Sequence, residues 1–139
     1  MKVVLANTFA MHLKAWNYHW NVEGPDFYQY HKFLQKIYTK LQDAVDPIAE
    51  HIRALNEYAP GGFKRYLELT SIEDEIAVRS GIESITNLLA DNDKVLASLE
   101  DAYYAAEQAK EHGLCNFIQD RIDEHKKLGW MMHATTVKS

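Results

Sequence analysis

Apolar residues recur at helical spacing through four long stretches of the chain. The first runs from about Val3 to Val22, where Val4, Phe9, Leu13, Trp16 and Trp20 return every three to five residues and are read as one face. Glu23-Gly24-Pro25-Asp26 ends it. Glycine permits a helix stop, proline cannot continue one, and Asp26 can cap the next helix. The second stretch, about Phe27 to Tyr58, keeps a helical period through Leu34, Ile37, Leu41, Val45, Ile48, Ile52 and Leu55. Pro47 lies inside it, removes one backbone donor opposite the Asp43 carbonyl and is expected to bend the helix. After Ala59-Pro60-Gly61-Gly62, Phe63 to Leu69 can form one short helical piece. Thr70 or Ser71 is expected to cap the third long helix, with Glu73 and Asp74 in its first turn and Ile76, Ile82, Ile85, Leu88 and Leu99 on its apolar face, reaching Lys110. A fourth is expected from about Leu114 to Ala134. Three short connections and one longer one predict an all-α fold: a four-helix bundle with a short extra helix between helices two and three.

Composition narrows this picture. At 139 residues the chain suits one domain, 1–139, and an apolar fraction of 47% is ample for its core. Three prolines and six glycines favour long helices over a many-turned sheet. A net charge of −5 disfavours sequence-independent phosphate binding and favours attraction of cations. The single Cys115 excludes an intrachain disulfide framework and reads as a small, partly buried side chain. The N-terminal stretch is interrupted by Asn7, His12 and Lys14, so it reads as structure rather than a signal peptide, and no apolar run could span a bilayer. The expected location is cytoplasmic.

Chemistry concentrates on the second helix. His31, Gln35, Asp46 and Glu50 form two i,i+4 pairs and share one stripe, about 100° wide at 3.6 residues per turn. Asp46 is fifteen residues beyond His31, about 22 Å along the axis, so one helix cannot bring both to one metal. Two antiparallel copies can. A two-fold axis near residues 40–41 places His31 and Gln35 of one chain opposite Glu50 and Asp46 of the other, giving two equivalent N/O sites. Imidazole with carboxylates suits iron, zinc or manganese. Glu-x-x-His, the pattern of a di-iron site inside one bundle, is absent: the residues three before the seven histidines are Phe9, Trp16, Tyr28, Ile48, Ala109, Ile122 and Trp130. On spacing alone the i,i+4 pairs read equally well as solvated helix faces. His12, His51, His112, His125 and His133 read as ordinary surface or satisfied core residues, and Trp16, Trp20 and Trp130 as core aromatics.

His19-Trp20-Asn21-Val22-Glu23-Gly24-Pro25-Asp26-Phe27, then His31, then Asp46-Pro47-Ile48-Ala49-Glu50-His51-Ile52-Arg53, resembles the signature of the Dps family, the mini-ferritins of the ferritin-like superfamily. Leu5-Ala6-Asn7-Thr8-Phe9, Gly61-Gly62-Phe63-Lys64-Arg65-Tyr66-Leu67-Glu68-Leu69 and His125-Lys126-Lys127-Leu128-Gly129-Trp130-Met131-Met132 are similar too. The resemblance implies a dodecameric homo-oligomer built from two-fold dimers. It implies an iron-storing ferroxidase that oxidises Fe(II) with hydrogen peroxide or dioxygen, keeps ferric oxide inside and protects against oxidative damage. It carries over His19 and His31 from one subunit, and Asp46 and Glu50 from its neighbour, as catalytic metal ligands, with Trp20 as the aromatic beside the site.

Three departures shape the alternatives. Gln35 stands where the family usually has Asp, so the site has one fewer negative charge. A metal-binding shell with weak or altered ferroxidase activity is the corresponding alternative, with zinc or manganese in place of iron. A Lys-rich tail of the kind by which some members bind DNA is missing, with Lys2 and Lys138 the terminal cations. A DNA-binding nucleoid protein is therefore the lesser alternative, and DNA binding through the tails is not expected. Glu111-His112-Gly113-Leu114-Cys115-Asn116 is less acidic than the family's usual start to the last helix, where the iron-entry pore forms.

Overall fold

A computed structural model describes residues 1–138 and contains five helices: α1 (Lys2–Asn21), α2 (Phe27–Ala54), α3 (Phe63–Leu69), α4 (Gly81–Gln108) and α5 (His112–Thr136). The closest packing is within two hairpins, α1 on α2 and α4 on α5; α1 also packs on α4, and α3 lies against α1. Leu34, Ile37, Leu41, Ala44, Ile48 and Ile52 form the buried stripe of α2, at three- and four-residue steps. They meet Leu5, Met11, Ile85, Leu88, Leu99, Ile118 and Leu128 in one core cluster. Among the described residues, no helix is long and apolar enough to cross a membrane.

On α1 the expected face splits in two. Val4 is buried together with Thr8, Met11, Ala15, Tyr18 and Val22. Phe9, Leu13, Trp16 and Trp20 lie roughly 150° round the helix at 100° per residue. Leu13 is 37% exposed and Trp20 56%, and Trp130 on α5 is 66% exposed, so neither Trp20 nor Trp130 is a core aromatic. The aromatic stripe of α1 instead receives α3: Phe9 stacks on Tyr66 with ring centroids 4.9 Å apart.

The helix ends also differ from expectation. α2 stops at Ala54 rather than Tyr58, because Asn56 takes a left-handed φ of 65° and its N–H closes on the Arg53 carbonyl at 3.0 Å. Neither Thr70 nor Ser71 caps the N-terminus of α4; Thr70 instead closes the C-terminus of α3. Thr70 Oγ1 and the Ser71 N–H both donate to Asn7 Oδ1, at 2.6 and 2.9 Å, which ties this segment to buried Asn7 on α1. Residues 70–80 cross the bundle without a helix, and Ile76 is 96% exposed. Lys14 Nζ donates to the Glu73 carbonyl at 2.9 Å, and Tyr18 OH donates to Glu75 Oε1 at 2.8 Å. Ser80 then caps α4 through a reciprocal box with Glu83, at 3.2 Å from the Glu83 N–H to Ser80 Oγ and 3.0 Å from the Ser80 N–H to Glu83 Oε2. Gly81 is required here, since a Cβ would overlap the Tyr30 ring. At the far end α4 stops at Gln108, and Lys110 takes a left-handed φ of 59° before α5.

Candidate metal centre

The turn between α1 and α2 is short, so the last turn of α1 lies beside the first turns of α2. This brings His19 against His31. His19 Nδ1 is 2.8 Å from the His31 carbonyl oxygen, and His31 Nδ1 is 2.8 Å from the His19 carbonyl oxygen. Because a carbonyl only accepts, each Nδ1 carries the proton and donates it. In a neutral ring that leaves each Nε2 with its lone pair, the form in which histidine binds metals. The rings stack with centroids 3.7 Å apart. Phe27 stacks on His31 at 4.8 Å, and Tyr38 meets His19 edge-on at 5.0 Å. Trp20, next in sequence, contacts Trp16 at 4.7 Å. Phe27 and Tyr38 do not stand out in the sequence, since aromatic spacing alone does not tell a packing ring from one beside a ligand.

Gln35, Asp46 and Glu50 are exposed on α2, while His19 is buried and His31 half-buried. The stripe from His31 to Glu50 lies roughly 140° from the helix's own core stripe at 100° per residue. It therefore faces away from the bundle interior. Asp46 raises the Glu50 carboxyl above its ordinary range, through close approach of the two acidic groups. Excess negative charge of this kind favours a cation. Within one chain the two halves do not meet: among the described residues, no three of His, Cys, Asp or Glu lie close enough to hold one ion.

The bundle interior is occupied by other chemistry. Lys14 Nζ sits 3.0 Å from Asp91 Oδ2, with Asp91 buried and Lys14 nearly so. Burial pushes the Asp91 carboxyl up, and Lys14 opposes that shift. Nearby, His125 is fully buried and neutral: Nδ1 donates to Asn92 Oδ1 at 2.7 Å, and Nε2 accepts from the Arg121 guanidinium at 3.1 Å. Burial, reinforced by Arg121, pushes its pKa down to about 3. His125 is the satisfied core residue its sequence context suggested, and neither cluster is a metal site.

The ferritin-like domain family matches residues 2–138. The Dps protein of Vibrio cholerae O1, described as a member of a broad superfamily of ferritin-like diiron-carboxylate proteins, superposes with a TM-score of 0.94 at 29% identity, covering 98% of this chain and 86% of that one. The chain belongs to the Dps family. Similar relatives in sequence include DNA protection during starvation protein 2 of Bacillus anthracis, 25% identical over 94% of this chain and 89% of that protein. An uncharacterised protein of Haemophilus influenzae is 30% identical over 94% of this chain and 82% of its own length. The all-α ferritin-like fold, with a short helix in the long connection, is thus the Dps fold.

Proposed function

We propose that this Dps-family chain is a subunit of an iron-storing ferroxidase shell whose metal site is completed by a second copy. The observation that carries the reading is the reciprocal pair His19–His31. Both Nδ1 protons are fixed on backbone carbonyls, so two Nε2 acceptors are prepared at the end of the α1–α2 hairpin. The carboxylates they lack lie further along α2 on the stripe that His31 begins, Asp46 about 22 Å and Glu50 about 28 Å from His31. An antiparallel copy brings the two sets together. The molecule also presents exposed apolar side chains, Leu13 and Trp20 on α1 with Phe63 and Leu67 on α3, of the kind a two-fold contact would cover.

In this reading Fe²⁺ is the substrate. His19 and His31 bind it as neutral imidazoles, and Asp46 and Glu50 of the neighbouring copy supply anionic oxygens. Holding two Fe²⁺ together lets one peroxide accept both electrons: 2 Fe²⁺ + H₂O₂ + 2 H⁺ → 2 Fe³⁺ + 2 H₂O. Dioxygen is the alternative oxidant. Ferric oxide then collects within a homo-oligomeric shell, which the family resemblance makes a dodecamer. Gln35 contributes a neutral oxygen and leaves the second ion less well held.

The test is peroxide-driven ferric absorbance after anaerobic loading of metal-free protein with Fe²⁺. Asp46→Ala with Glu50→Ala is expected to reduce oxidation to the protein-free rate; an unchanged rate would remove the assignment. Gln35→Asp is expected to tighten binding of the second ion about 10-fold, as expected for one added charge-assisted contact. Tight zinc binding without peroxide-dependent iron oxidation would favour the alternative, a metal-binding shell of little ferroxidase activity.

A further inference from the structure

Three oxidisable rings lead away from the proposed ligand His19. Tyr38 on α2 meets the His19 ring edge-on, with centroids 5.0 Å apart. Trp16 on α1 stacks on Tyr38 at 5.8 Å, and Trp20 meets Trp16 at 4.7 Å. Every step lies within the separation of aromatic rings in contact. Tyr38 and Trp16 are half-buried, whereas Trp20 is exposed. Buried His12 fixes this packing: its Nδ1 donates to the Tyr38 carbonyl at 3.2 Å, and its ring centroid lies 5.2 Å from that of Trp16. A phenol or an indole gives up an electron and a proton to a strong oxidant, which the phenyl ring of phenylalanine does not.

Gln35 gives these rings a use. Reduction of peroxide takes two electrons, and a site that holds its second ion poorly presents one Fe²⁺ at a time. The other electron then has to come from a different donor. We propose that Tyr38, Trp16 and Trp20 supply it, so that a site holding a single Fe²⁺ still reduces peroxide completely. The balance is Fe²⁺ + H₂O₂ + Tyr–OH → Fe³⁺ + OH⁻ + H₂O + Tyr–O•. The O–O bond breaks, one electron comes from the iron, and the second leaves Tyr38 together with its phenolic proton. Exchange along the contacts, Tyr–O• + Trp–NH ⇌ Tyr–OH + Trp–N•, spreads the oxidation to Trp16 and to the exposed ring of Trp20. The inference rests on the ferroxidase reading and concerns the singly loaded site.

The test loads metal-free assembled protein anaerobically with less than one Fe²⁺ per chain, adds peroxide and freezes the sample for electron paramagnetic resonance. An organic radical is expected, in proportion to the Fe³⁺ formed, with one Fe³⁺ rather than two for each peroxide consumed. Peptide mass spectrometry should then find oxidation at Tyr38, Trp16 and Trp20 but little at Trp130, which is more exposed than Trp20 and lies outside this chain of ring contacts. Trp16→Phe with Tyr38→Phe keeps a ring at both positions and is expected to lose most of the radical per Fe³⁺. Gln35→Asp is expected to lower it as well, because a second Fe²⁺ then provides the second electron. Protein-dependent iron oxidation without a radical in wild type, or an unchanged radical yield per Fe³⁺ in the double phenylalanine variant, would overturn the proposal. If that variant does not assemble, oxidation of Trp130 equal to that of Trp20 in wild type would overturn it. Iron oxidation at the protein-free rate would instead remove the ferroxidase reading, and this proposal with it.

Discussion

His19 and His31, the proposed ligands, show how a backbone can fix a histidine tautomer. Each carbonyl takes the other ring's Nδ1 proton, the task a carboxylate often performs behind a metal-bound histidine. His125 shows the opposite use of the same side chain. It is held neutral by burial, with both ring nitrogens satisfied by Asn92 and Arg121. Its pKa falls from the ordinary 6.5 to about 3. Below pH 6.5 the unfolded chain binds a proton that the folded chain refuses, so stability declines as pH falls towards 3 and this contribution is fully present only above 6.5. One such proton corresponds to a slope of about 1.4 kcal/mol per pH unit. Urea unfolding across this range should be steeper in wild type than in His125→Gln by about one proton, whereas equal slopes would show that His125 titrates normally. The stripe His31, Gln35, Asp46 and Glu50 was legible in the sequence because helical rise and twist are nearly constant. The tautomer lock was not, since it depends on two carbonyls that meet only when the α1–α2 hairpin closes.

Among the elements, α3 and the hairpin turn at Gly24-Pro25 follow from local signals, and α3 spans Phe63–Leu69 as the sequence predicts. The start of α4 does not. Thr70, Ser71, Glu73 and Asp74 carry the residue types of a helix start, yet Asn7, Lys14, Asn17 and Tyr18 on α1 capture that segment by tertiary hydrogen bonds. Arg79 and Tyr18 together hold the Glu75 carboxyl down to about 2, so the strap is fastened by an ionised group. The real start lies at Ser80, where the box with Glu83 satisfies orphan donors that no other element reaches. Ser80→Ala should cost about 1 kcal/mol, the usual loss for an N-cap hydroxyl. Chemical denaturation would measure it, and a change near zero would mean that packing of Gly81 against Tyr30 alone sets the start of α4. The two apolar stripes of α1 were hidden for a related reason. Val4 and the set Phe9, Leu13, Trp16 and Trp20 satisfy one loose spacing rule yet lie on different sides, one serving the core and the other α3 and solvent.

On the scale of the whole molecule, the bundle keeps the family's fold while its interior is closed to metal. A buried Lys14–Asp91 pair and the neutral His125 network fill the space between helices. The candidate ligands are divided along the molecule: His19 and His31 close the α1–α2 hairpin at one end, and the exposed Asp46 and Glu50 lie further along α2. In the proposed reading such a chain is half of two sites rather than the whole of one. Mixed assembly separates these possibilities directly. His19→Ala with His31→Ala inactivates one half, and Asp46→Ala with Glu50→Ala inactivates the other. If both halves come from different copies, a dimer of the two variants contains one intact site and one doubly defective site. With random pairing half the dimers are mixed, so peroxide-driven iron oxidation should return to about one quarter of the wild-type rate, although each variant alone is inactive. Recovery to that level after dissociation and joint reassembly is the predicted result; no recovery in assemblies shown to contain mixed dimers would contradict the shared centre.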